Sequence, residues 1–527
     1  MKKLWAILLA MMLVLSMVTV ASAEGTDPAE GDMPPVKAAI EVPNNGHTYE
    51  ILQIFTGDLH EKDGSNVLSN LAWGFNGKGT AGKAVPEETI NELKAKTSEM
   101  EVRDYIVNNL LNSQVPYATI GQVNGAYVGS DPVDPGYYLI RDKADTLTGT
   151  NDSYTFYIVK ITGFVTITPK ADKPSLTKKI KDTNDTTGVT SEWQDSADYD
   201  IGDEVPYLLT ATVANNFASY KGAYKLVFHD TMEAGLTFNE NSVKVFVGTT
   251  DVEKTEVEKT LYKVNKTNDQ NFTVTIDDLK SLKYGETGAQ VEVGNKIYVE
   301  FTATLNENAN IGAKGNLNTA YLEFANNPNS EQPEMGKTPD DTVIAFTYQV
   351  VINKVKENGE SLTGADFKLE KKIGAAEWVE IDRKTGTTAG SVFTFKGLDD
   401  GIYRLTETAV PGGYNKMADV IFTVTADHVV MINGLNDATR YDVLTSLNGT
   451  AENGVITLTE QKKAETINDQ ETEIIEGLTT QVVNKSGATL PETGGIGTTI
   501  FYVLGGMMFV GAALILIVRR KAEADEI

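Results

Sequence analysis

The chain has 527 residues, 41% of them hydrophobic, a formal net charge of −27 and no cysteine. Such acidity excludes nucleic acid as a partner, because phosphate contacts require basic patches. Four scattered histidines without metal-binding spacing, and the lack of cysteine, predict no zinc site or other metal. Since the glycine-rich stretch at 74–82 also lacks the context of a phosphate-binding loop, we expect no cofactor and no turnover enzyme.

The first 23 residues have the three-part pattern of a secretory signal peptide. Two lysines precede an apolar run at 4–20, and Ala21-Ser22-Ala23 is a small-residue cleavage site. We therefore expect an exported chain that begins near Glu24. An N-terminal membrane anchor is the alternative.

Residues 24–170 form the first predicted domain, a mixed α and β unit. Pro86-Glu87-Glu88 opens a segment with apolar periodicity that continues to Asn112. A proline followed by acidic residues favours a helix start there. Later strands are expected at 137–140, 154–159 and 163–168.

Proline-containing junctions at 169–174 and 328–339 separate two further domains, predicted at 171–345 and 346–489. Alternating runs rich in Val, Ile, Thr, Tyr and Phe are broken by Asn, Asp and Gly, a pattern typical of short antiparallel strands. The fold class expected is mainly β, with three tandem domains, the last two Ig-like sandwiches. The clearest predicted strands are 207–213, 243–247, 272–276 and 297–305.

The C-terminal residues 490–527 combine three features. An apolar run at 496–518 is long enough, at about 23 residues, to span a bilayer, and the basic cluster 519–521 would follow it on the cytoplasmic side. Leu490-Pro491-Glu492-Thr493-Gly494 stands just before the run. This arrangement resembles the LPxTG sorting signal of Gram-positive surface proteins. The resemblance implies that a sortase cuts after Thr493, holds its carbonyl as a thioester and passes it to an amine. An ordinary single-span anchor is the alternative.

Motifs across the mature chain resemble sortase-assembled fimbrial shaft (major backbone) pilins. The third domain resembles a Cna B-type module, through 352–355, 362–369, 401–407, 411–414 and 482–484. The second resembles the isopeptide-forming D2 domain of fimbrial subunits, through 176–178, 201–207, 228–231 and 316–320. The first domain ends in Thr166-Ile167-Thr168-Pro169-Lys170, which looks like the Tyr-Pro-Lys pilin motif with Thr168 in place of the tyrosine.

The family resemblance implies one internal Lys–Asn isopeptide bond in each of the last two domains, promoted by a nearby acid. The implied residues are Lys178, Asn318 and Asp230 in the second domain and Lys354, Asn484 and Glu407 in the third. Strand alternation places all six in apolar, core-facing rows. Burial lowers the pKa of an amine and raises that of a carboxyl, which supplies a neutral nucleophile and a proton donor.

The alternative is that these six are ordinary polar residues of strands, with snorkelling lysines. Lys179, Lys356 and Glu204 are the competing identities. Whether the first domain holds a third bond is left open.

Lys170 lies on the polar face of its segment, at a domain junction, where a bulky acyl-sortase can reach it. The resemblance implies that its amine attacks the Thr493 thioester of another subunit and so builds a head-to-tail fibre. A solvated junction lysine is the alternative, with Lys173 and Lys160 as the other candidates for this role.

The function expected is therefore that of a structural subunit of a covalent pilus at the Gram-positive cell wall. Its partners would be other copies of itself, pilus and housekeeping sortases and peptidoglycan, together with tip or minor pilins and host receptors. The competing hypothesis is a monomeric wall-anchored adhesin whose first domain binds a host protein or glycan. A basal or tip pilin is a third hypothesis. It is disfavoured because a shaft subunit needs both the accepting lysine and the sorting signal, and the sequence has both.

Overall fold

The computed structural model describes most of the chain between Ile40 and Ala524. The ranges are 40–42, 47–62, 65–97, 99–112, 115–123, 126–128, 133–143, 153, 156–162, 165–166, 173–328, 330–452, 454–487 and 496–524. The predicted fold class is confirmed, since the described residues are mostly in strands that group into three successive units. The signal peptide, Lys170 and the sorting motif 490–494 lie outside the described residues.

The first unit is built on one six-stranded sheet. Its order is β5-β4-β2-β6-β7, with β3 also paired to β2, while β1 and β8 form a separate parallel pair. The strands are β1 (Ile40–Glu41), β2 (Thr48–Lys62), β3 (Ser65–Trp73), β4 (Ala118–Val123), β5 (Ala126–Val128), β6 (Gly136–Asp142), β7 (Phe156–Ile161) and β8 (Val165–Thr166).

The helix predicted from Pro86 to Asn112 is divided in the structure. It consists of α1 (Glu87–Lys94), α2 (Glu99–Tyr105) and a π-helical turn, Ile106–Leu110. The backbone N–H of Thr97 and its hydroxyl both donate to the Glu101 carboxylate, at 2.7 and 2.9 Å. Such bonds satisfy donors at a helix start, so a second start signal interrupts the apolar period.

The second unit is a sandwich of two larger sheets. One has the order β12-β25-β23-β14-β19-β18, with β24 on β23, and the other β17-β16-β22-β13-β9, with β15 on β22. The strands are β9 (Leu176–Ile180), β10 (Thr183–Asn184), β11 (Val189–Thr190), β12 (Ser196–Asp198), β13 (Glu204–Thr212), β14 (Leu226–Met232), β15 (Leu236–Phe238), β16 (Lys244–Gly248), β17 (Lys254–Glu256), β18 (Lys263–Lys266), β19 (Asn271–Ile276), β20 (Lys283–Tyr284), β21 (Ala289–Gln290), β22 (Lys296–Leu305), β23 (Asn316–Ala325), β24 (Met335–Lys337) and β25 (Asp341–Phe346). The four clearest predicted strands are β13, β16, β19 and β22, with ends that differ by at most three residues.

The third unit is a sandwich of a four-stranded and a five-stranded sheet. Their orders are β29-β26-β34-β33 and β28-β27-β30-β31-β32, and β26 pairs in parallel with the last strand, β34. The strands are β26 (Tyr348–Lys356), β27 (Asp366–Ile373), β28 (Glu377–Thr385), β29 (Val392–Leu398), β30 (Gly401–Ala409), β31 (Val420–His428), β32 (Leu444–Ala451), β33 (Thr459–Ile467) and β34 (Gln470–Asn484).

Two further helices complete the described chain. Helix α3 (Gly386–Ala389) is a single turn, and α4 (Ile496–Ala524) contains a stretch, Ile500–Lys521, that is long and apolar enough to cross a membrane. Short 3-10 turns occupy Phe217–Ser219, Glu240–Ser242, Lys259–Leu261, Gly312–Lys314 and Arg440–Asp442.

The second and third units meet with almost no linker, because β25 ends at Phe346 and β26 begins at Tyr348. Ile344 and Phe346 pack into the hydrophobic core of the third unit although their strand belongs to the second. This packing fixes how the two sandwiches face each other.

Candidate isopeptide sites

The second unit buries Lys178 completely. Leu176 and Ile180 flank it on β9 and are also buried, as the alternation predicts. Its Nζ donates a short hydrogen bond to Oδ2 of Asp230 on the facing sheet. The rings of Tyr207 and Phe301 lie 5.0 Å from the same nitrogen. The amine is therefore enclosed by one carboxyl and two aromatic faces.

Asn318 completes this group from β23. Its side chain is fully buried and lies close enough to Asp230 and Tyr207 to act against the rise that burial causes in the pKa of each. The three side chains are therefore neighbours. Neither polar atom of the Asn318 amide makes a hydrogen bond of regular geometry with any described residue, and Oδ1 of Asp230 also has no such partner. Buried polar groups without partners are rare and costly in folded proteins. Their concentration here is typical of a reactive or strained site.

The electrostatics of this first site suit amide formation. Burial lowers the pKa of the Lys178 amine, although the carboxylates of Asp230 and Asp341 act against that shift. Burial also raises the pKa of Asp230, with Lys178 opposing it. Both groups are thus displaced toward their neutral forms, in which an amine is nucleophilic and a carboxyl carries a proton.

The third unit repeats the grouping with different strands. Lys354 on β26 and Asn484 on β34 lie on adjacent parallel strands, two register positions apart, and both are buried with Glu407 of β30. Nζ of Lys354 donates to the carbonyl of Val482 at 3.1 Å, and Nδ2 of Asn484 donates to Oε1 of Glu407 at 2.7 Å. Burial lowers the pKa of Lys354.

The two sites differ in the reactant that the acid contacts. Asp230 contacts the attacking nitrogen of Lys178, whereas Glu407 contacts the amide nitrogen of Asn484, which would leave. Glu407 is held in place by a second bond, from the backbone N–H of Met417 to Oε2 at 3.0 Å. Each acid therefore contacts a nitrogen that would lose or gain a proton if an amide formed between the lysine and the asparagine.

The competing lysines have other partners. Lys179 points away from the core and pairs with Asp195, while Lys356 is exposed and pairs with Glu360 at 2.9 Å. Glu204 is exposed as well. These three side chains are outside both buried groups.

A residue that sequence reasoning missed orients the second-unit site. The carboxylate of Asp341, on β25, accepts the backbone N–H of Lys178 at 2.7 Å. Because β25 also pairs with β23, this bond ties the lysine strand to the sheet that carries Asn318. The available signal was an acid at the start of a strand next to the Pro339 junction, which does not by itself specify a partner.

Sequence reasoning also missed a third buried lysine, Lys371 on β27. Its Nζ donates to Asp185 at 2.9 Å, to Asp200 at 2.7 Å and, over a shorter distance, to Asp399. Burial would lower the pKa of Lys371, but the carboxylates of Asp399 and Asp200 outweigh it and raise that pKa. Lys371 is therefore a charged ion-pair partner across the junction between the second and third units, unlike Lys178.

Lys170 and Thr493, the residues predicted to join subunits, lie outside the described residues. Of the alternatives, Lys173 is exposed, and Lys160 donates to the carbonyl of Asn66 at 3.1 Å.

Comparison with known proteins identifies two segments. A SpaA prealbumin-like fold domain matches residues 348–438, and the LPXTG cell wall anchor motif matches residues 482–524. The chain is thus a cell-wall-anchored surface protein that contains a prealbumin-like domain.

One curated relative and two solved structures are similar to this chain over most of its length. The trypsin-resistant surface T6 protein of Streptococcus pyogenes serotype M6 is 25% identical over 401 residues, which are 67% of this chain and 70% of that protein. The solved T6 backbone pilin of the same serotype is 16% identical with a TM-score of 0.47, covering 86% of this chain and all of that one. The major pilin SpaD from Corynebacterium diphtheriae is 17% identical with a TM-score of 0.43, covering 88% of this chain and all of that one. The predicted resemblance to Gram-positive backbone pilins is confirmed.

Proposed function

We propose that this chain is the shaft subunit of a covalent pilus, in which a sortase joins Thr493 of one subunit to the amine of Lys170 of the next. The three domains would be residues 24–170, 171–345 and 346–489. The role is structural rather than catalytic. The anchor motif and the relationship to the T6 surface protein support the polymer, and the two buried lysine groups support its internal cross-links.

Both cross-links would form by the same reaction, in which an amide replaces the asparagine amide and ammonia is released. The neutral amine of Lys178 attacks the amide carbon of Asn318, the Asp230 carboxyl shuttles a proton, and ammonia leaves as the new amide forms. Lys354, Asn484 and Glu407 would do the same in the third domain. Preorganised contact replaces an enzyme, since fixed geometry raises the effective concentration of the reacting groups.

The observation that carries this proposal is the contrast among buried lysines. Burial lowers the pKa values of Lys178 and Lys354, which lie beside a buried asparagine, whereas Lys371 has a raised pKa and donates to three carboxylates. An exported chain without disulfides gains from bonds that reduction cannot break.

Immunoblotting of cell-wall extracts tests the polymer. The wild type should show a ladder of high-molecular-weight species, and Lys170→Ala should reduce it to monomer. Lys173→Ala and Lys160→Ala are matched controls that should keep the ladder. A ladder that survives Lys170→Ala and is lost in one control assigns the linkage to that lysine. A wild type without any ladder supports the monomeric adhesin instead.

A further inference from the structure

The junction between the second and third domains brings together three side chains of metal-ligand type. One ligand atom each from Asp182, Asp198 and His428 lies within 4.8 Å of the others. Asp198 ends β12 in the second domain and His428 ends β31 in the third. The histidine spacing in the sequence gives no sign of this group, because folding across the junction assembles it.

Hydrogen bonds fix the tautomer of His428. The hydroxyl of Ser196 donates to the carbonyl of Val429 at 2.7 Å, so its single proton is used there. In the hydrogen bond of 2.6 Å between Ser196 Oγ and His428 Nδ1, the ring N–H must therefore be the donor and the hydroxyl oxygen the acceptor. In the neutral tautomer with this hydrogen bond, the lone pair is on Nε2, which lies 3.7 Å from the Asp182 carboxylate. Metal-binding histidines are oriented in this way, by a hydrogen bond from their other nitrogen.

A buried hydroxyl also points into the group. Tyr348 is 1% exposed, and its hydroxyl lies against Asp198 without a hydrogen bond of regular geometry to any residue that the structure describes. An unpartnered buried hydroxyl is costly unless something else binds there. The side chain of Asp182 is 22% exposed, which leaves an entry path from solvent.

The charge of the group is unbalanced, in contrast to its neighbour. In the neighbouring group the ammonium of Lys371 binds three aspartates. Around Asp182 and Asp198 stands a further carboxylate, Asp400, whose Oδ1 accepts from Asn184 at 2.6 Å. Within the described ranges, no lysine or arginine forms an ion pair with these three acids. One junction group thus contains a lysine, whereas the basic side chain that faces the carboxylates of the other is the imidazole of His428.

We propose that Asp182, Asp198 and His428 bind one divalent transition-metal ion, of the Zn²⁺ type, across the junction of the second and third domains. The mixed set of two carboxylates and one imidazole favours such an ion over Ca²⁺ or Mg²⁺, which prefer oxygen ligands alone. The bound ion links the two sandwiches and stiffens the shaft at this joint.

Calorimetric titration of Zn²⁺ into the full chain in detergent, after treatment with a chelator, tests the site. We expect one binding event per chain, lost in His428→Gln and in Asp182→Asn. Ser196→Ala, which removes the orienting contact and the hydrogen bond to the Val429 carbonyl but no ligand, should weaken binding by about tenfold. His229→Gln is the matched control, since His229 lies on an outer face against Tyr321 and Glu323 and should bind Zn²⁺ normally.

X-ray absorption of the zinc-loaded wild type keeps the proposal testable where a variant misfolds. It should report one imidazole nitrogen with oxygen ligands. Three results overturn the proposal: no saturable Zn²⁺ binding, binding unchanged by His428→Gln, or Ca²⁺ bound as tightly as Zn²⁺. Any of these results would mean that the group is a histidine–carboxylate contact and not a metal site.

Discussion

Replacing Glu407 by glutamine tests whether the acid of the third-domain site is needed for the cross-link to form. Gln keeps the volume and can still hold Asn484, but it cannot pass a proton to the leaving nitrogen. Lys354 and Asn484 would therefore remain in contact without reacting. Because each bond releases ammonia, the wild type should be lighter than its unmodified mature sequence by about 34 Da and Glu407→Gln by about 17 Da.

The stability loss follows from the loop that the bond closes. Lys354 and Asn484 are 130 positions apart. By analogy with disulfides, chain entropy gives such a cross-link about 5 kcal/mol. For a domain of this size a loss of 1 kcal/mol lowers the melting temperature by about 3 °C, so the third domain should melt roughly 15 °C lower.

Intact-mass spectrometry and differential scanning calorimetry on the same preparations make the test. Glu370→Gln is the matched control: Glu370 is also a buried glutamate of this sheet, but it accepts hydrogen bonds from Arg404 and Lys368 and lies outside the lysine–asparagine group. It should keep the full mass deficit. A Glu407→Gln chain with the same mass deficit as the wild type would refute the catalytic role of the acid.

Three further predictions address other parts of the chain. Lys178→Ala should remove about 17 Da of the deficit beyond the substitution itself, whereas Lys179→Ala should not, as peptide mapping can show. Burial and neighbouring aspartates raise the pKa of Asp203 to about 6, so the folded chain holds a proton there that the unfolded chain loses near pH 4. Stability should therefore fall as the pH rises from about 4 through 6, and Asp203→Asn should flatten that part of a melting-temperature profile; an unchanged slope contradicts this assignment. Arg440→Ala breaks a partly buried bidentate ion pair across the junction and should cost about 2 kcal/mol, seen as faster proteolysis between the domains, while exposed Arg383→Ala should behave as wild type.

Local rules predicted the parts of the fold that depend on one strand at a time. Alternation of side chains is a property of each strand, so the burial of Lys178 could be inferred from Leu176 and Ile180. The same rule applied to β27 would have found Lys371, which follows the buried row of Phe367 and Leu369. Its role was out of reach, because its partners come from another domain.

Contacts across the junction between the two sandwiches were not predictable from the sequence. Arg440 binds Glu233, 207 positions away, and also donates to the carbonyl of Gly315 at 2.8 Å. No periodicity encodes such pairs, since they depend on how two finished sandwiches meet. The break in the predicted helix at Thr97 had a different cause, a competing capping signal within one segment.

Tandem mass spectrometry of the purified high-molecular-weight polymer tests the central claim most directly. After proteolysis, it should show a branched peptide in which the carbonyl of Thr493 forms an amide with Nζ of Lys170. A polymer in which Thr493 is found only on peptidoglycan, or on no lysine of this chain, would contradict head-to-tail assembly.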